Sequence, residues 1–164
     1  MTYPDKKFFD DKGEISAVFR PVGATEGVSY GPGKTNVDYL ATGALTGGQF
    51  GLYRWNMSGA PTGPSPHFHR TITESFFVIS GTVRLYNGDV WVDAKPGDFL
   101  YVPQGGIHAF GNDSGEPASM LILFTPGAPR EAYFEALAEI SVSGRTATDD
   151  EMLELLLAHD QYSV

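Results

Sequence analysis

The sequence predicts an all-β domain, a sandwich or a barrel, followed by α-helices. Up to about residue 125, short runs of strand-forming residues alternate with turn sequences, the pattern of a closed or layered β fold. Beyond residue 129 the apolar spacing changes from two to between three and four, the period of a helix. The chain has 164 residues, 41% hydrophobic and 13% aromatic, enough to fill one core, and no cysteine, so neither a disulfide nor a thiolate contributes.

In order along the chain, Ile15 to Pro21 reads as a first strand and Gly23 to Lys34 as a glycine-rich loop. Val37 to Thr42 and Gln49 to Met57 are the next strands, joined through Gly43 to Gly48 with a turn at Gly47-Gly48. In the second of these, Phe50, Leu52 and Arg54 take one face and Tyr53 and Trp55 the other. Strands carrying His67 and Glu74 follow, then Val83 to Tyr86, the turn Asn87-Gly88-Asp89, Val90 to Asp93, Asp98 to Val102, Ile107 to Phe110 and Ala118 to Phe124. Gly81 and Gly97 bracket a hairpin, and Pro103-Gln104-Gly105-Gly106 ends one strand and aims the next. Pro129 opens a helix with Tyr133, Leu137 and Ile140 on one face. Thr148-Asp149-Asp150-Glu151 is a capping box for a second helix that carries Met152, Leu155, Leu156 and, near its end at the surface, His159. The two helices are expected outside the barrel or on a second subunit. The expected organisation is one domain: an N-terminal strand and loop over 1–36, a barrel over 37–126 and helices over 127–164.

Three of the four histidines, His67, His69 and His108, fall near one another in this pattern, with Glu74 between them. Residues two apart on a strand share a face, so His67 and His69 can reach one ion together. Glu74 is an odd step from His69, which requires a turn over Arg70 to Thr73; a hairpin there returns Glu74, Phe76, Val78 and Ser80 toward the imidazoles. His108 completes the set from another strand. Three imidazoles and a carboxylate suit a divalent transition metal: iron, manganese, nickel, cobalt, copper or zinc.

The spacing carries further information. The first segment reads His67-x-His69, four residues, Glu74, six residues, Gly81; the second reads Gly97, five residues, Pro103-x-Gly105, two residues, His108, three residues, Asn112. Both segments resemble the paired motifs of the cupin superfamily. In that family a glycine usually stands five residues before the first histidine, whereas here the nearest upstream glycine is Gly63, followed by Pro64-Ser65-Pro66. The resemblance implies a jelly-roll β-barrel with one metal ion inside, held by His67, His69, Glu74 and His108. Among cupins the chain is similar to bacterial quercetin 2,3-dioxygenases, through Tyr39 to Gly43, Thr46-Gly47-Gly48, the proline-rich lead into His67, and Thr125-Pro126-Gly127 before Tyr133-Phe134. That likeness implies a metal-dependent dioxygenase that opens a flavonol or related hydroxylated aromatic with O2, releasing carbon monoxide, with Glu74 as catalytic base. Two other classes use the same scaffold: a metal-dependent isomerase or polyketide cyclase that consumes no oxygen, and a non-catalytic small-molecule-binding cupin.

Strand parity puts Tyr53, Trp55, Phe76, Val78 and Phe110 near the ligands, where they can line an apolar substrate pocket or serve as core. Tyr30, Tyr39 and Tyr101 are further candidates. A net charge of −9, from 11 basic and 20 acidic residues, argues against nucleic acid. No phosphate-binding glycine loop, dinucleotide fingerprint or nucleophile elbow is present. Met1 to Arg20 is charged and lacks an apolar signal region, and no apolar run reaches membrane-spanning length, so a cytoplasmic protein without a membrane partner is expected. A homodimer is expected from the edge strands that a jelly roll leaves open and from the apolar helices.

Overall fold

The computed structural model of the protein describes residues 2–30 and 35–164. Its strands are β1 (Gly27–Tyr30), β2 (Thr35–Ala41), β3 (Gly51–Met57), β4 (His67–Phe68), β5 (Thr73–Ser80), β6 (Val83–Tyr86), β7 (Trp91–Ala94), β8 (Phe99–Val102), β9 (Ala109–Gly111) and β10 (Ala118–Thr125). Two helices, α1 (Glu131–Val142) and α2 (Asp149–Ala158), precede a last short strand, β11 (Tyr162–Ser163). One antiparallel sheet has the order β1-β2-β3-β10-β5-β8; a second has the order β7-β6-β9, and β11-β4 forms a third. This is the expected jelly-roll barrel, all β apart from the two C-terminal helices.

Period-two burial builds the core. In β3, Gly51, Tyr53, Trp55 and Met57 are buried while Leu52, Arg54 and Asn56 are half-buried on the other face. Phe76 and Val78 of β5, Val83 and Leu85 of β6, Phe110 of β9 and Met120, Ile122 and Phe124 of β10 join the same cluster, so the sheets close on one interior. Gly81 takes φ 72°, and a Cβ there would stand 2.3 Å from the Pro117 carbonyl oxygen; the turn into β6 therefore requires glycine.

Three expectations are corrected. Ile15 to Pro21 forms no strand, and Ile15, Val18 and Phe19 stand exposed. The first strand is instead Gly27–Tyr30, inside the expected loop, whose last residues, 31–34, lie outside the described residues. Its backbone can lie against β2 because Gly27 lacks a Cβ, which would meet the Val37 oxygen at 2.3 Å. The hairpin between His69 and Glu74 is also absent. β4 pairs with β11, and β5 lies between β10 and β8, so residues 69–72 cross from one sheet to another with Ile72 buried at the crossing.

The helices pack on the barrel by unequal amounts. α1 inserts Tyr133, Phe134 and Ala138, and the Phe134 ring lies 5.2 Å from that of Tyr53 and 5.4 Å from that of Trp55. α2 turns Met152 and Leu156 to a cavity that Phe134 also lines. No helix among the described residues is long and apolar enough to cross a membrane.

Candidate metal centre

Each of the four residues is brought to the site by a different local constraint. β4 presents His67, and a two-way backbone pair ties it to His108: His67 N donates to His108 O at 3.0 Å and His108 N to His67 O at 2.9 Å. The carbonyl of His69 accepts from Gly105 N at 2.7 Å, which fixes the end of β4 against the Pro103 turn. Glu74 lies on β5, one strand in from the edge of the large sheet, opposite Phe124 of β10 and Val102 of β8. All four side chains are buried, and one ligand atom from each lies within 4.8 Å of the others.

The imidazoles are held from behind. His67 Nδ1 lies 2.8 Å from Ser65 O, His69 Nδ1 2.6 Å from Asp160 O and His108 Nδ1 3.0 Å from Gly106 O. Each carbonyl calls for a proton on Nδ1, which leaves the Nε2 lone pair facing inward. At the same time the Nε2 atoms of His69 and His108 lie 3.1 and 2.8 Å from the same Glu74 Oε2. A neutral imidazole has one N–H and cannot donate at both nitrogens. Either a second proton is taken up or a cation stands between nitrogen and carboxylate, and an ion that meets all three Nε2 atoms and Glu74 satisfies every partner at once. The donor set therefore fits a divalent metal, and His67, His69, Glu74 and His108 form a candidate metal-binding site.

Electrostatics of the protein alone agree with that geometry. Burial would raise the Glu74 carboxyl, but hydrogen bonds from His108 and His69 outweigh it and hold the group well below the usual carboxylate range. His108 is opposed by burial yet raised by its bond to Glu74. His67, which has no carboxylate contact, is pushed down to about 4, mainly by burial and secondarily by His108. It is a neutral donor at physiological pH.

Beside the cluster lies a cavity of about 510 Å³ whose wall includes His67 and Glu74. Trp55 and Phe110 line it, with Tyr30, Phe124, Tyr133 and Phe134. Tyr53, Phe76 and Val78, expected as lining, are elsewhere. Tyr53 is fully buried behind Phe134 and its hydroxyl donates to Glu131; Phe76 backs His108, with ring centroids 5.9 Å apart; Val78 lies in the core further along β5. All three side chains are buried in the core, and α1 and the packing depth along each strand decide which residues reach the cavity. Tyr39 is core and Tyr101 is exposed on the outside of β8.

Sequence reasoning missed Asp160, Arg130 and Gln161. Asp160 supplies the carbonyl for His69 from ninety-one residues away, and its carboxylate accepts from Arg70 N, Thr71 N and the Thr71 hydroxyl. Arg130 and Gln161 are buried and line the cavity. His159, expected at the surface, is half-buried with its ring 5.3 Å from Tyr133, and burial and nearby Arg130 both lower its pKa. The only local signals were the non-helical tail after the second capped helix and an arginine just inside an apolar helix start.

A jelly-roll barrel with a buried three-histidine, one-glutamate cluster at its cavity is the arrangement that the resemblance to cupins implies. Residues 55–124 match the cupin-domain family. Quercetin 2,3-dioxygenase of Bacillus subtilis is 30% identical over 73 residues, which cover 44% of this chain and 21% of that protein; the match spans about a fifth of the relative's length. A sugar phosphate isomerase from the cupin superfamily of Silicibacter pomeroyi superposes with a TM-score of 0.52 at 25% identity, covering 64% of this chain and 73% of that one. The polyketide cyclase RemF of Streptomyces resistomycificus gives a TM-score of 0.54 at 21% identity, covering 65% and 79%.

Proposed function

We propose that the protein is a metal-dependent dioxygenase of the quercetin 2,3-dioxygenase kind, opening a flavonol or related hydroxylated aromatic with O2. One observation carries this reading: the convergent Nε2 atoms and the Glu74 carboxylate form one end of an aromatic-walled cavity large enough for a planar substrate. His67, His69, His108 and Glu74 would hold one divalent transition ion, which when bound supplies Lewis acidity for an enol oxygen and a centre for its reaction with O2. The chain's own residues do the rest. Trp55, Phe110 and Phe134 hold the ring system and exclude water, and Glu74 accepts the hydroxyl proton at a carboxylate oxygen. The small-molecule partner reading also includes a homodimer and a cytoplasmic location.

The test follows flavonol absorbance and oxygen uptake together in apo protein reconstituted with each of several divalent metals. Expected is matched loss of both, with Glu74→Gln retaining most of its metal while activity per bound metal falls about a hundredfold or more, the scale of a lost general base. Turnover that proceeds equally well without oxygen would transfer the protein to the isomerase or cyclase class.

A further inference from the structure

The cavity wall carries a second, unassigned set of polar atoms besides the cluster. Arg130 is 4% exposed, and its guanidinium carbon lies 4.4, 5.0 and 5.6 Å from the ring centres of Tyr133, Phe124 and Phe134, all of which line the cavity. Nη1 donates to the His159 carbonyl at 2.7 Å, while Nε is buried without a hydrogen-bond partner. Among the described residues no carboxylate stands within ion-pair distance of it. Two neighbours on the same cavity are in the same condition: Trp55 Nε1 and the Tyr30 hydroxyl are buried and unpartnered, and their rings stack at 5.6 Å.

These atoms share one chemistry. Arginine Nε and indole Nε1 only donate, and the Tyr30 hydroxyl stays protonated because burial raises it far above its ordinary value. A guanidinium cannot give up its proton, and burial works against it; the Glu74 charge opposes that only through space, without an ion-pair contact, and aromatic faces offset only part of the cost. With Nη1 engaged, the remaining edge of the guanidinium, Nε and Nη2, is the side-on fork that matches a carboxylate bidentately. We infer that Arg130, assisted by Trp55 and Tyr30, forms an anion-binding subsite on the cavity wall, and that the substrate is a planar aromatic bearing a carboxylate. The inference rests on the proposed function for the reacting end of the substrate only; the subsite stands on its own atoms.

The test needs no metal. Calorimetric titration of the chelator-treated full chain with 2-naphthoate and with methyl 2-naphthoate compares an anion with its neutral counterpart of the same ring system. Expected is at least tenfold tighter binding of the acid, a preference that disappears in Arg130→Met, is partly kept in Arg130→Lys and is weakened in Trp55→Phe, with the ester's affinity changing less than threefold in the two Arg130 variants. Equal binding of acid and ester, no binding of the acid, or an Arg130→Met loss that falls equally on both would overturn it. The first comparison uses the unaltered protein, so a variant that fails to fold leaves it decisive. Oxygen-dependent flavonol loss without acid preference would leave the dioxygenase reading and remove this subsite, and the converse result would do the reverse.

Discussion

Asp160 holds a left-handed backbone, φ 57°, alone among the described non-glycine residues. That conformation costs most residues about 1–2 kcal/mol and is tolerated by aspartate and asparagine. Here it lets one residue work at both ends: its carbonyl fixes the His69 ring while its carboxylate gathers the backbone and hydroxyl donors of Arg70 and Thr71. Asp160→Ala should therefore destabilise the fold by about 2–4 kcal/mol, from several lost hydrogen bonds and the αL cost together, and should lower metal occupancy more than Asp160→Asn does. Denaturant melts with elemental analysis of both variants check this; an alanine variant as stable and as fully loaded as its parent would show that His69 needs no such support. Strand parity, which acts over a few residues, made His67 and His69 legible, whereas Glu74 and His108 were legible through their motif spacing, since the turn expected before Glu74 is a crossing between sheets. Asp160 and Arg130 were not, since each reaches the site only after the C-terminal segment has folded back over the barrel. Gly63 shows an intermediate case. It was visible as a displaced glycine, but only the fold shows why it stands there: φ is 127°, and a Cβ would lie 1.9 Å from the Phe110 oxygen.

At the level of elements, α2 and β11 act as a strap over the cavity. α2 buries no residue fully, so packing alone holds it weakly, and its ends carry much of the burden. Thr148 accepts from Glu151 N at 3.2 Å while Thr148 N donates to the Glu151 carboxylate at 2.9 Å, a reciprocal capping box, and β11 ties the other end to β4 beside His67. Thr148→Ala should cost about 0.5–2 kcal/mol, taken locally. Hydrogen exchange should rise across 149–163 and leave β3 and β10 unchanged; a uniform rise over the whole chain would mean that the strap and the barrel unfold as one unit. The box was readable in the sequence as four consecutive residues. β11 was not, because two residues have no periodicity of their own and become a strand only when β4 offers an edge. The same reason explains the exchange of Ile15 to Pro21 for Gly27–Tyr30: alternation marks residues able to pair, and the backbone clearance at Gly27 selects which of them do.

For the molecule as a whole, the segment that reads as a strand but pairs with nothing in the described chain is the informative one. Ile15 and Phe19 are exposed by 108% and 87%, and Phe8 and Phe9 precede them, also exposed. Apolar area left in water forgoes roughly 25 cal/mol per Å², so such a segment gains by finding cover, and a second copy offers the same segment and the same open sheet edges in an isologous arrangement. The net charge of −9 opposes that approach by like-charge repulsion, which salt screens. The protein is therefore expected to sediment as a dimer whose dissociation constant falls as ionic strength rises. Ile15→Ser combined with Phe19→Ser should shift it to monomer while thermal stability of the barrel at infinite dilution stays unchanged, since neither side chain touches the core. Sedimentation of the parent as a monomer over the full dilution series, or a double variant that dimerises as tightly as the parent, would show that the N-terminal segment covers no partner.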